Sequence, residues 1–198
     1  MYHLYQTEAF ILDERPLGEA NRLYFLLTPD WGLVTATAQG VRLLKSKLRF
    51  QLNKYSYVNV VLVRGKEIWR LVGAEKIGGF EAIYESPIKL QFAAKIFTLL
   101  RRFVQGETSQ RKLFDDLIHS LLFLSALNLS AMDPKLLSSW EQLTVLRSLH
   151  FWGYIKDLPK LDPFLSFTEW SEDILMLAAV SQSFLIGVIN EAIEVSHI

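Results

Sequence analysis

The hydrophobic period of this chain changes once, and that change divides what its two parts can fold into. Up to about residue 80, apolar side chains recur at every second position, as in a strand with one buried face. From Ser86 onward they recur every three to four positions, as on the stripe of a helix. Val34, Ala36 and Ala38 alternate with Thr35, Thr37 and Gln39. Residues 57–63 put Val58, Val60 and Leu62 on one face, and residues 67–72 put Trp69 and Leu71 opposite Arg70. Two earlier apolar runs, 9–12 and 22–28, are bounded by Pro16, Leu17 and Gly18 and by Pro29 and Asp30. Further turn signals fall at Trp31 with Gly32, at Gly40, and at Arg64, Gly65 and Lys66. About five short strands at such spacing suit a small closed barrel of the OB type better than a sandwich. A plain β-meander is the alternative on pattern alone.

The helical part opens at Ser86 and Pro87, a cap followed by proline at the first helical position. Ile88, Phe92, Ile96, Leu99 and Phe103 form the stripe of this helix, which Gln105 and Gly106 end. A second helix starts near Gln110, with Leu113/Phe114, Leu117/Ile118 and Leu121/Leu122 paired every four residues. Asp133 and Pro134 cap a third, carrying Leu136, Trp140, Leu143, Leu146 and Leu149, and Gly153 stops it. Residues 155–170 hold two prolines and read as an irregular excursion. Ser171, Glu172 and Asp173 open a last helix bearing Ile174, Ala178, Leu185, Val188, Ala192 and Val195. The expected fold class is therefore α+β. A five-stranded OB-fold barrel occupies residues 1–80, followed by an all-helical domain over 81–198.

Two function classes lose ground at once. There is no cysteine, so disulfide frameworks, thiolate zinc sites and cysteine nucleophiles are excluded, and a reducing cytoplasm is the expected compartment. Residues 1–15 lack the pattern of a signal peptide, and the uncharged stretch 174–190 falls short of the roughly 20 apolar residues of a membrane span. It reads as a buried helix. His119 follows Asp115 and Asp116 by one helical turn and Glu141 precedes His150, but neither pair supplies the three converging ligands of a metal site. No phosphate loop, dinucleotide fingerprint or nucleophile elbow is present. The expectation is a protein that is not an enzyme and needs no cofactor.

A net charge of zero hides an asymmetry that points to a polyanionic partner. Residues 1–80 hold 11 Lys and Arg against 7 Asp and Glu, whereas residues 81–198 hold 10 against 14. From residue 161 onward there are six acids and no Lys or Arg. The basic excess peaks at Arg42, Lys45, Lys47 and Arg49, four cations within eight residues, beside Gly40 and Phe50 and near Tyr55, Tyr57 and Trp69. Such a cluster neutralises phosphates, and exposed rings stack bases. A solvated loop of mixed cations would look the same from charge alone, and on a barrel most of those rings should point into the core.

The run Gly18, Glu19, Ala20, Asn21, Arg22, Leu23, followed by Leu27, Thr28, Pro29, Asp30, Trp31, Gly32, resembles the N-terminal domain of the RecO family of bacterial DNA repair proteins. So do Ala38, Gln39, Gly40, Val41, Arg42 and Ser46, Lys47, Leu48, Arg49, with Leu52, Tyr55, Ser56, Val63, Arg64, Gly65, Ala74, Glu75 and Phe80. In the helical part the resemblance rests on hydrophobic pattern and on Leu149 followed by Gly153 and Tyr154. It implies an OB-fold that binds single- and double-stranded DNA and anneals complementary strands. It also implies recombination mediation with a RecR clamp and, indirectly, RecA, and contact with the acidic C-terminal tail of single-strand-binding protein. The location it implies is cytoplasmic, on the nucleoid. Arg22, Arg42, Lys45, Lys47 and Arg49 are the DNA-facing candidates. Five phosphate contacts on single strands correspond to a log K against log salt slope of about −3.5. Arg101, Arg102, Arg111 and Lys112 flank apolar helices and are candidates for the tail. Where many members carry a four-cysteine zinc module after the Gly-Tyr pair, residues 155–170 contain no cysteine, so no zinc module is expected. The alternative is an adaptor of the same fold that docks a RecR-like clamp or single-strand-binding protein and binds DNA weakly.

Overall fold

The structure, a computed structural model, describes residues 3–129 and 134–196. Its strands are β1 (Leu4–Leu17), β2 (Asn21–Thr28), β3 (Gly32–Ala38), β4 (Tyr57–Val63) and β5 (Trp69–Lys76). The helices follow as α1 (Glu81–Glu85), α2 (Pro87–Phe103), α3 (Arg111–Ala126), α4 (Pro134–Phe151), α5 (Asp162–Leu165), α6 (Glu172–Val180) and α7 (Gln182–Ser196). The strands close into a barrel in the order β1-β2-β3-β5-β4, with β4 returning to β1. All pairings are antiparallel except β3 with β5. This is the expected five-stranded OB-fold.

The period-two pattern does what the sequence demands of it. Val34, Ala36 and Ala38 of β3 and Val58, Val60 and Leu62 of β4 are fully buried in one core, joined by Trp69 and Leu71 of β5. Strand β1 is longer than its apolar run because it serves two neighbours. Residues 4–10 pair with β4 and residues 10–17 with β2, and a register shift between Ile11 and Asp13 lets the strand bend between them. Pro16 therefore lies inside β1, opposite Arg22, and does not end it. Its missing N–H is tolerated because β4 has already left that edge.

The change of element type falls at residue 80, but contacts draw a different line. The compact unit built on the barrel comprises Met1–Gly78 and Phe97–Phe114. Phe10 meets the rings of Tyr57, Phe97 and Phe114 at 4.7, 5.6 and 5.3 Å. The Leu33 N–H donates to the Gly106 carbonyl, and the Gln110 N–H to that of Pro29. Gly32 is required here. Its φ is +56°, and a Cβ would run into the Thr108 carbonyl.

In the other unit, Gly79–Ile96 with Asp115–Ile198, α4 is the central helix, and Leu136, Trp140, Leu143, Leu146 and Leu149 are all buried. Trp140 Nε1 donates to the Ser120 carbonyl at 3.0 Å, and the Ser120 and Thr144 hydroxyls bond at 2.8 Å. Arg147 is nearly sealed. It holds Asp116 at 2.6 Å and donates to the carbonyls of Leu165 and Phe167, which ties down the irregular excursion.

Three expectations about the helices are corrected. The buried side of α2 is Lys89, Ala93, Ile96, Phe97, Leu100 and Phe103, while Ile88 is exposed and Phe92 and Leu99 are half-buried. Lys89 satisfies its buried ammonium on the Ser125 carbonyl at 2.7 Å, and burial lowers its pKa. The last helix is two. The Ser181 N–H closes α6 on the carbonyls of Leu177 and Ala178, its own carbonyl accepts from Leu185 in α7, and the chain bends by 83°. Residues 174–190 are accordingly not a buried helix, since Met176, Leu177, Val180, Phe184 and Ile186 are exposed. Ser171 does cap α6, accepting from the Ile174 N–H, whereas the cap expected at Asp133 lies outside the described residues. No single helix among the described residues is long and apolar enough to cross a membrane.

Candidate nucleic-acid interface

The cationic segment is the connection between β3 and β4, and three bonds fasten its start to the β1–β2 turn. The Gly40 N–H donates to Asn21 Oδ1 at 2.9 Å, and the Arg42 N–H to the Ala20 carbonyl at 3.0 Å. The Arg42 guanidinium reaches the Gly18 carbonyl at 2.8 Å. Val41 and Leu52 plug the barrel from either end of the segment. The loop crosses that opening through a short 3₁₀ turn, Lys47–Phe50. Its charged side chains have nowhere to go but outward, and Arg42, Lys45, Lys47 and Arg49 are all exposed. Among the described residues none of these four stands in an ion pair.

Three of the five DNA-facing candidates converge. Arg22, Arg42 and Arg49 line one pocket of about 190 Å³, together with Val41 and Tyr24. Arg22 and Tyr24 share a face of β2, two residues apart, and Tyr24 belongs to the barrel core, so Arg22 stands at the mouth above it. Arg22 is not free of acid. It binds Glu14 Oε1 at 2.6 Å, and Glu14 pairs across the strands with Tyr24. Both the Tyr24 hydroxyl and Glu14 Oε2 are buried, the hydroxyl against Arg22. Burial first, and the Glu14 charge second, push the Tyr24 pKa up to about 12, with Arg22 opposing.

The rings sort as the barrel dictates, with one exception. Trp69 and Tyr57 are buried, and Tyr55 is stacked on Phe97 at 5.1 Å, so none presents a face to a ligand. Phe50 is the exception, 63% exposed with the Arg49 guanidinium 5.0 Å from its ring centre. Sequence reasoning placed Phe50 beside the cations without giving it a role. Tyr24 and Glu14 were missed altogether, because one reads as core and the other as an ordinary strand acid. The available signal was the two-residue spacing of Arg22 and Tyr24.

The second set of candidates is scattered. Arg101 lies 3.8 Å over the Phe25 ring, its pKa lowered by burial and by Arg15. Arg111 pairs with Asp30 at 2.5 Å. Both belong to the barrel unit. Arg102 and Lys112 are exposed.

Residues 1–80 match the family model described as "Recombination protein O N terminal". Among curated proteins, the chain is 34% identical over 149 residues to a protein of Dehalococcoides mccartyi (strain CBDB1) named DNA repair protein RecO, covering 74% of this chain and 56% of that one. A protein of the same name from Dehalococcoides mccartyi (strain ATCC BAA-2266 / KCTC 15142 / 195) is 37% identical over 122 residues, or 60% of this chain and 47% of that one. Another, from Clostridium novyi (strain NT), is 29% identical over 157 residues, or 79% and 59%. The chain therefore matches only about half to three fifths of the length of these relatives.

Proposed function

The chain belongs to the RecO family of DNA repair proteins, and from that premise we propose that it binds DNA through the β3–β4 loop of its OB-fold. The observation that carries this reading is the set of four exposed cations, Arg42, Lys45, Lys47 and Arg49, free of acidic partners on a loop fixed across the barrel mouth. Counterion release from such a set drives binding to any phosphate backbone, single- or double-stranded. Phe50 beside Arg49 adds a face on which a base of a single strand stacks.

The activity is association, not bond chemistry. Two complementary strands that are each neutralised at one surface meet without the repulsion that keeps them apart in solution, which is annealing. In this reading the protein acts as a recombination mediator with a RecR-like clamp, assisting RecA on strands coated by single-strand-binding protein, in the cytoplasm on the nucleoid. The family resemblance supports these partners. No cofactor enters the scheme. Fluorescence anisotropy with a labelled single strand of about 16 nucleotides, the upper site size of one OB-fold, tests it. Binding that weakens steeply with salt, together with accelerated annealing of complementary strands, is the expected result. Absence of binding at low salt would refute the reading and leave the adaptor of the same fold.

A further inference from the structure

The pocket at the barrel mouth is built for something other than the flank of a strand. Its volume, about 190 Å³, is below the roughly 300–1,000 Å³ of pockets that hold whole small molecules. A base with its sugar does not fit. The aromatic residue in its wall, Tyr24, is fully buried and offers no open ring face for stacking. What the lining offers is donors. Each guanidinium carries five N–H groups. One Arg22 nitrogen is engaged with Glu14 and one Arg42 nitrogen with the Gly18 carbonyl. The remaining donors of those two residues, and those of Arg49, line a small space beside the buried Tyr24.

Resting on the DNA-binding reading above, we propose that this pocket is a seat for a phosphate monoester, the terminal phosphate of a nucleic-acid strand, held by Arg22, Arg42 and Arg49. Charge selects the end of a strand over its middle. Three guanidinium groups less the Glu14 carboxylate give a local charge of +2, which matches the −1.5 to −2 of a monoester at neutral pH and exceeds the −1 of a backbone diester. Size agrees, because a diester enters with a sugar on either side and a monoester with one.

Calorimetric titration of the full chain with thymidine trinucleotides bearing a 5′-phosphate, a 3′-phosphate or neither tests this at one fixed salt concentration. One phosphorylated end should bind at least about tenfold tighter than the unphosphorylated trimer, the scale of new charge-assisted hydrogen bonds. Arg49→Gln should abolish that preference and Arg42→Gln, at an exposed residue of the same pocket, should reduce it about threefold. Lys45→Ala with Lys47→Ala should leave the ratio unchanged, because those lysines lie off the pocket. Equal binding of all three trimers, binding of none, or a preference that survives both pocket substitutions would overturn the proposal. Binding of longer strands is measured separately, so the pocket can fail while the DNA-binding reading stands. If long strands do not bind, the loop reading fails, and the trimer ratio still decides the pocket.

Discussion

Replacing Lys45 and Lys47 by alanine removes two of the four exposed, acid-free cations of the loop without touching the barrel core. The structure changes the count that the sequence suggested. Arg22 is already neutralised by Glu14 at 2.6 Å, so its contact with a phosphate releases no net counterion, and four charges remain in place of five. On single strands the slope of log K against log salt becomes about −2.8 instead of −3.5. The double substitution should bring it to about −1.4. Between 50 and 200 mM salt, wild-type affinity should then fall about 50-fold and that of the variant only about 7-fold. Loss should be uniform across sequences, because phosphate contacts carry no base information. Stability should stay within about 0.5 kcal/mol, as both side chains are exposed and unpaired. Anisotropy titrations at four salt concentrations, with a denaturation curve for each protein, read both quantities. A folded double variant with an unchanged slope would falsify the assignment of this loop as the DNA contact.

Other outcomes follow from neighbouring geometry. Phe50→Ala should weaken single strands by about 1–3 kcal/mol while leaving the salt slope and duplex affinity alone, since a ring stacks bases and carries no charge. Equal losses on single strands and duplexes would mean that the ring only shapes the loop. Asp116→Ala leaves Arg147 as an uncompensated charge in the helical unit and should cost about 3–5 kcal/mol in urea unfolding. A loss under 1 kcal/mol would show that the Leu165 and Phe167 carbonyls suffice to hold Arg147. For Tyr24 the unfolded hydroxyl titrates at 10 and the folded one near 12, so the unfolded state sheds its proton first. Stability should therefore be intact below pH 10 and decline as pH rises towards 12, and Tyr24→Phe should flatten that alkaline limb. Identical alkaline limbs in the two proteins would show that the hydroxyl is not buried in solution. Asp13 runs the other way, since Lys54 holds its pKa below 3.8 despite partial burial. Its contribution is present at neutral pH and lost as pH falls below that value, and Asp13→Asn should remove that part of the acid limb.

The barrel was legible because period-two burial leaves few choices. Val34, Ala36, Ala38, Val58, Val60 and Leu62 share one interior because β3 and β4 belong to one closed sheet. The helices were legible as elements but not as faces. On α2 the residues at i, i+3 and i+4 are apolar over too wide an arc, and Lys89, whose charge argues for exposure, turns out to be buried because Ser125 supplies a carbonyl. The break at Ser181 was hidden for a related reason. Serine is acceptable both inside a helix and at its end, and here its N–H is shared with the Ala178 carbonyl, one residue nearer than a helical bond, where the chain bends by 83°.

At the site, charge was visible in the sequence and geometry was not. Four cations in eight residues mark a candidate phosphate surface, with a solvated loop as the alternative, so the loop could be named without knowing its path. The pocket could not, because it is made by separation in sequence. Arg22 and Tyr24 come from β2, Glu14 from β1 and Arg49 from a turn after β3, and they meet only when Gly40 and Arg42 are tied to the β1–β2 turn. That tether is also what makes the arrangement testable as a unit. Asn21→Ala removes the Gly40 anchor at the loop's base without altering any charge. If the pocket depends on loop position, Asn21→Ala should lower the preference for a phosphorylated strand end while leaving the salt slope for long strands near about −2.8, since the cations remain exposed wherever the loop moves. If both fall together, pocket and loop act as one surface, and the strand end has no seat of its own.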